Sequence, residues 1–278
     1  MVVTGLVASL GAGPSLAQEA AGPTAMVADP CSGVVDRPLD ASLRPMLQPG
    51  GRLKPPSAEE AAAAGKAMAE QREKDWPNLC RYRAANAAIK HSPKIVFMGD
   101  SITELWAIAD PGFFSDNRLD RGISGQTSPQ MVLRFRSDVV ALNPRTVHIL
   151  AGTNDIAGNT GPTSERAFED NIESMVEAAK AHHIRVVLAS IPPMGFIGWQ
   201  PQYRPAEEVR RLNRWLRDCA ASSGAIYLDY YSRLATADGA FRPDLSNDGV
   251  HPNLAGYAIM RELADKALAS DQSSRQSN

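Results

Sequence analysis

Four short stretches of this 278-residue chain carry side chains suited to acyl-group chemistry. In "VFMGDSITELW", residues 96–106, an apolar run ends directly on Gly99, Asp100 and Ser101. A serine hydroxyl is a weak nucleophile. It needs a base to take its proton, a group to orient that base, and donors for the oxyanion that forms. The segment "SNDGVHPNLAGY" offers Asp248 and His251 on one turn, where the carboxylate can reach Nδ1 and leave Nε2 facing a serine. "TVHIL" runs into Ala151-Gly152-Thr153-Asn154-Asp155, and the Asn154 amide is a suitable oxyanion donor. "RGISGQT" sets Gly125 in a loop where a backbone N–H can approach a ligand with no Cβ in the way. Taken alone, Ser101 reads equally as a helix N-cap, for which Ser and Asp are preferred. Asp100 and Asp155 read as structural neighbours of the site.

These parts are far apart in sequence, so a folded sheet must gather them. From Lys94 onward, short β-branched runs alternate with helical patterns: "KIVFMG", "TVHILAG", "RVVLAS" and "AIYLDY" are candidate strands. Each is largely apolar and bounded by turn chemistry, as strands buried on both faces are. Between them, residues 164–181 place Phe168, Ile172, Met175 and Ala179 on one helical face, and 206–221 and 254–269 are similar, the last carrying Ile259, Leu263 and Ala267. This alternation predicts an α/β three-layer fold with a mainly parallel sheet, in which ligands gather at the carboxyl ends of the strands. All four chemical stretches fall at such ends or on the loops beside them.

"MGDSITELW", "GISGQT", "AGTNDI" and "DGVHPNLAGY" resemble the four ordered blocks of the SGNH hydrolases, also called GDSL esterases, over roughly residues 91–268. Isoleucine follows Gly-Asp-Ser where the family name has leucine, a swap of similar apolar volume. The resemblance implies Ser101 as nucleophile, His251 as base and Asp248 as its partner. It also implies an oxyanion hole of the Ser101 N–H, Gly125 and Asn154, in a flavodoxin-like fold with five parallel strands ordered 2-1-3-4-5. The implied reaction is ester hydrolysis through an acyl-enzyme, with no cofactor. Acyl transfer to a sugar hydroxyl, a lysophospholipase or thioesterase activity, and a non-catalytic carbohydrate- or lipid-binding module are the alternatives.

The remainder of the chain narrows the function by exclusion. A formal net charge of −2, from 29 basic and 31 acidic residues, gives no basic excess for nucleic acid. No H-E-x-x-H or other compact ligand cluster points to a metal, and Gln126 breaks the G-x-S-x-G elbow of the α/β-hydrolases. His148 reads as a core residue, while His182 and His183 suit a helix C-terminus. Residues 1–17 read as a signal peptide with a small-residue cleavage site near Ala17, so the expected location is periplasmic or secreted. No later apolar run is long enough to span a bilayer.

Residues 18–90 read as an N-terminal extension, 91–270 as the catalytic domain and 271–278 as a disordered tail. Within the extension, 26–56 reads as extended, Ser57 and Glu60 form a capping box ahead of a helix that Pro77 ends, and 79–89 reads as a short helix. That helix is expected to be an arm packed on the main domain, without chemistry of its own. Cys31 and Cys80, both ahead of the first strand, are candidates for pairing in an exported chain, and Cys219 reads as a buried free thiol. The stretch "IPPMGFIGWQPQYRP" follows a strand and is longer than an ordinary connection. Its Phe196, Trp199 and Tyr203 are candidate substrate contacts, forming a wall beside a cleft for short acyl esters of small molecules or carbohydrates.

Overall fold

The computed structural model describes residues 29–32, 34, 39, 41–52, 57–115, 117–197 and 202–273. The signal-peptide stretch, Trp199 and the end of the tail lie outside the described residues. Two units are distinguished, 1–33 and 34–278. In the first, Asp29–Ser32 forms a turn closed by the Ser32 N–H on the Asp29 carbonyl.

The larger unit runs, in chain order, α1 (Arg44–Leu47), α2 (Ala58–Lys74), α3 (Arg83–Ala88), β1 (Ile95–Gly99), α4 (Ser101–Ala109), β2 (Arg118–Gly122) and α5 (Ser128–Asp138). It continues with β3 (Thr146–Ile149), α6 (Thr153–Ile156), α7 (Glu165–Ala181), β4 (Arg185–Ala189), α8 (Ala206–Ser223), β5 (Ile226–Leu228), α9 (Tyr231–Leu234) and α10 (Leu254–Ser273). The five strands pair in parallel in the order β2-β1-β3-β4-β5, the flavodoxin-like order the sequence implied.

Successive strand side chains point to opposite faces, so one apolar run serves two cores. Val96, Met98, Val147, Ile149, Val186 and Leu188 pack with α5, α7 and α8 residues such as Phe135, Phe168 and Leu212. Ile95, Phe97, Val187 and Ala189 face the other way, onto Ile102 and Trp106 of α4 and Tyr257 and Met260 of α10. Phe168, Ile172, Met175 and Ala179 are all buried, as their spacing predicts.

The sequence reading needs correction in several places. The segment 26–56 is not wholly extended: α1 follows a 3-10 turn within it, and Leu47 is buried in the second core. The arm helix is shorter than 79–89, spanning only Arg83–Ala88. α10 continues to Ser273, into the segment expected to be a disordered tail. β2, "RLDRG", carries no apolar run, because as an edge strand it buries fully only Leu119, Arg121 and Gly122. α2 has the expected capping box but buries no residue, so its Ala-rich propensity and its cap hold it. Cys219 is a buried free thiol, as the sequence suggested.

Candidate active site

In the turn from β1 to α4 the N-cap is not Ser101. Asp100 is the N-cap, its Oδ1 accepting the Ile102 N–H at 2.9 Å, and Ser101 is the first helical residue. The capping duty therefore falls on the aspartate and leaves the serine hydroxyl uncommitted to it. Ser101 Oγ lies 2.9 Å from His251 Nε2. His251 Nδ1 in turn lies 2.7 Å from Asp248 Oδ2. The other Asp248 oxygen accepts the backbone N–H groups of His251 at 2.7 Å and Val250 at 2.9 Å, so the turn locks the carboxylate against its own imidazole.

Burial pushes the Asp248 carboxyl upward. The His251 side-chain hydrogen bond and charge, with the two backbone N–H groups, outweigh it and hold the group down at about 2. Asp229 and Asp244, two further carboxylates in the C-terminal part of the chain, are engaged elsewhere, with Arg217 and Ser232 and with Arg242 respectively.

The three candidate oxyanion donors lie on three loops. The Ser101 N–H is one of the orphan donors of a helix start, and the Gly125 N–H lies on the β2–α5 loop. Among the described residues neither has a hydrogen-bond partner. Gly125 sits at φ +78°, a left-handed conformation that glycine adopts without strain. Asn154 is buried, and its Nδ2 donates to Gln126 O at 3.0 Å and to Asp100 Oδ2 at 3.2 Å. Its Oδ1 accepts from Asn159 Nδ2 at 2.6 Å. The amide thus stands beside the Ser101 turn, with both its N–H groups already donated. Donating to a ligand requires it to share or release the longer bond, to Asp100.

Burial raises the Asp100 carboxyl to about 6, although the Ile102 N–H and the charge of His251 act against this. Asp155 faces away, accepting the N–H and hydroxyl of Ser128 and so tying α6 to α5. His148 is a core residue: burial lowers it to about 3, and its Nε2 lies 3.1 Å from the Tyr230 hydroxyl.

The three aromatics of the 191–205 stretch divide. Ile191, Met194 and Ile197 turn into the core, which leaves Phe196 45% exposed. Its ring lies over Gly249, where a Cβ would come within 2.8 Å of it, so it borders the loop that carries Asp248 and His251. Tyr203 instead donates its hydroxyl to Glu208 and packs on the core, which ties it to α8 rather than to the other site residues. Trp199 is outside the described residues.

Two cavities, of 190 Å³ between α5 and α7 and 230 Å³ beside α8 and β5, are lined by residues other than these. Among the described residues no three His, Cys, Asp or Glu gather as a metal site requires, and no helix is long and apolar enough to cross a membrane.

Sequence reasoning passed over Glu104 and Arg134, buried charged residues that bind the loops around Ser101 to one another. A glutamate inside the apolar α4 pattern was the available signal.

The chain belongs to the GDSL-like lipase/acylhydrolase family, whose profile matches residues 97–259. It is accordingly a hydrolase of the GDSL esterase type. A Bacteroides fragilis chain provisionally described as an acylhydrolase is 43% identical with a TM-score of 0.68, covering 71% of this chain and 98% of its own. A GDSL-like lipase from Bacteroides thetaiotaomicron is 39% identical with a TM-score of 0.69, covering 71% of this chain and 100% of its own. An acetylxylan esterase from Geobacillus stearothermophilus shares the fold at 21% identity and TM-score 0.52, over 65% of this chain and 95% of its own. The lipoprotein YqeF of Bacillus subtilis is 34% identical over 79 residues, 27% of this chain and about a third (32%) of YqeF's length.

Proposed function

We propose that the protein is a serine esterase that hydrolyses short-acyl carboxylic esters, acetyl to butyryl, through an acyl-enzyme on Ser101. The observation that carries this reading is the continuous chain from Ser101 Oγ to His251 Nε2 at 2.9 Å and from His251 Nδ1 to Asp248 Oδ2 at 2.7 Å. Oγ attacks the ester carbonyl carbon as its proton passes to Nε2. The resulting imidazolium is stabilised by Asp248, and the oxyanion is held by the Ser101 and Gly125 N–H groups and the Asn154 amide. Collapse of the tetrahedral intermediate breaks the bond to the alcohol oxygen, which leaves with the proton from Nε2. Water then attacks the acyl-enzyme, giving its proton to the same nitrogen, and the acid is released as that proton returns to Oγ.

The short-acyl preference is supported by the 191–197 stretch, whose aliphatic side chains fill the core while Phe196 stands as a flat wall on the catalytic loop. That wall suits a compact acyl group or a sugar face. Export is supported by the apolar N-terminal run closing on Ser15-Leu16-Ala17 and by the likeness to a lipoprotein. The substrate is then a small-molecule or carbohydrate ester outside the cytoplasm.

Reaction with a fluorophosphonate, followed by mass spectrometry, is expected to place the adduct on Ser101, and Ser101→Ala is expected to lose nearly all hydrolysis of p-nitrophenyl acetate. An adduct on another residue, with Ser101→Ala still active, would overturn the reading.

A further inference from the structure

The loop that carries Gly125 is held from outside its own elements. Glu104 of α4 is buried, and its Oε2 accepts both the backbone N–H of Ser124 at 2.8 Å and the Ser124 hydroxyl at 2.7 Å. Its Oε1 accepts from Arg81 Nη2 at 2.9 Å and from the Leu39 N–H at 3.4 Å. The Arg81 and Glu104 side chains are only 13% and 8% exposed, so solvent does little to screen this pair. An ionised carboxylate is an acceptor only, and a buried one left without its cation is strongly disfavoured. Arg81 and Ser124 thus meet on the two oxygens of one buried carboxylate, which ties the arm to the Ser124 turn. Ser124 is committed to α4, and among the described residues the adjoining Gly125 N–H has no hydrogen-bond partner.

Further ties run from the same arm. Pro77 O accepts from Gln126 Nε2 at 2.8 Å, and the Tyr82 hydroxyl donates to Gly122 O at 2.5 Å. The arm therefore grips the β2–α5 loop on both sides of Gly125.

We infer that Arg81 is a positioning residue for the oxyanion loop, acting through Glu104 on the Ser124–Gly125 turn, so that residues 76–86 of the N-terminal extension belong to the catalytic apparatus. The inference rests on the proposed role of Gly125 as an oxyanion donor. It replaces the expectation of an arm without chemistry. Donors must meet the oxyanion within a few tenths of an ångström, and a displacement near 1 Å costs on the order of 10²-fold. A partly loosened loop should then lose about 10-fold in kcat.

The test uses the full chain with p-nitrophenyl acetate, measuring kcat, KM and Tm for wild type, Arg81→Met, Arg81→Lys, Glu104→Gln, Ser124→Ala and the Arg81→Met/Glu104→Gln double variant. The expected result is a kcat loss of about 10-fold in Arg81→Met, with KM within about twofold. Arg81→Lys should regain most of the loss, and the double variant should be no worse than the poorer single one. Wild-type kcat in Arg81→Met with only a lowered Tm overturns the inference, as do single losses that multiply in the double variant, which is how independent sites behave. Should Arg81→Met not fold, Glu104→Gln decides: it removes the carboxylate through which Arg81 acts while keeping the side chain's size, and an unchanged kcat there is equally decisive against the inference. Failure of the underlying reading looks different, because fluorophosphonate would then label a residue other than Ser101 in the wild type.

Discussion

Asn154→Ala tests the donor side of the site, and its magnitude can be worked from the bonds the amide already makes. A preorganised oxyanion donor contributes about 2.7–4 kcal/mol to the transition state. In this structure the Asn154 Nδ2 bonds go to Gln126 O at 3.0 Å and Asp100 Oδ2 at 3.2 Å, so serving the oxyanion weakens the longer one. That exchange offsets about 1 kcal/mol, a typical net value for one intramolecular hydrogen bond. The remainder, about 2–3 kcal/mol, predicts a kcat loss of about 30- to 150-fold with little change in KM, because the charge appears chiefly in the transition state.

The same truncation leaves the half-buried Asn159 Nδ2 and the buried Gln126 O and Asp100 Oδ2 short of a partner, and the two buried groups so left cost about 1–3 kcal/mol each. The variant should therefore also melt earlier. Initial rates on p-nitrophenyl acetate at 25 °C, corrected for the folded fraction from the melting curve, separate the two effects. A raised KM with wild-type kcat would refute the assignment, and so would a kcat loss that disappears after that correction.

Three further outcomes are expected. Asp248→Asn should keep the fold and lower kcat by about 10²- to 10⁴-fold through a misoriented or wrong-tautomer imidazole, as read by steady-state rates alongside circular dichroism; wild-type kcat would mean another carboxylate supports His251. Burial pushes Asp120 up to about 7, above its unfolded value, so the folded state keeps a proton that the unfolded chain releases. Stability from this group is then lost as pH rises from about 4 through 7, and Asp120→Asn should flatten the fall of Tm over that window, an unchanged slope being the contrary result. Across p-nitrophenyl esters of two to sixteen carbons, kcat/KM should peak at two to four, and Phe196→Ala should raise KM more than it lowers kcat; a maximum at long chains defeats the short-acyl proposal.

Much of the scaffold was legible because parallel strands buried on both faces must be apolar along their length. "KIVFMG", "TVHILAG", "RVVLAS" and "AIYLDY" each contain an observed strand. β2 escaped because "RLDRG" at the sheet edge has no such run; there Arg121 pairs with Asn86 and the Asp120 carbonyl instead of joining an apolar layer. Asp248 and His251 were legible because they share one turn, where sequence spacing nearly fixes the geometry. Tyr203 could not be placed that way, since Pro and Gly spacing in a loop does not say which aromatic turns toward α8 and which toward Gly249. Glu104 and Arg81 were opaque for a related reason: their pairing joins segments separated by 23 residues, and no local period encodes it.

What fixes the angles between the loops is a buried cation. Arg134 of α5 has no exposed side-chain surface, and it donates from Nη2 to Gly99 O at 3.0 Å, from Nε to Gln126 Oε1 at 2.5 Å and from Nη1 to Asp138 Oδ2 at 3.0 Å. Gly99 is the last residue before Asp100 and Ser101, and Gln126 follows Gly125, so one guanidinium spans the Ser101 turn and the Gly125 loop. Its planar fork holds three acceptors at set directions, which a flexible ammonium would not do. Gly99 O also accepts the Ile123 N–H at 3.1 Å, closing the same junction through the backbone. Breaking a buried pair of this kind by removing one partner costs about 3–5 kcal/mol. The loop therefore cannot drift without exposing that cost. The polar interior behind Ser101 thus joins the Ser101 turn to the Gly125 loop before any ester arrives, a fixed framework of the kind the proposed oxyanion donors need to accelerate acyl transfer.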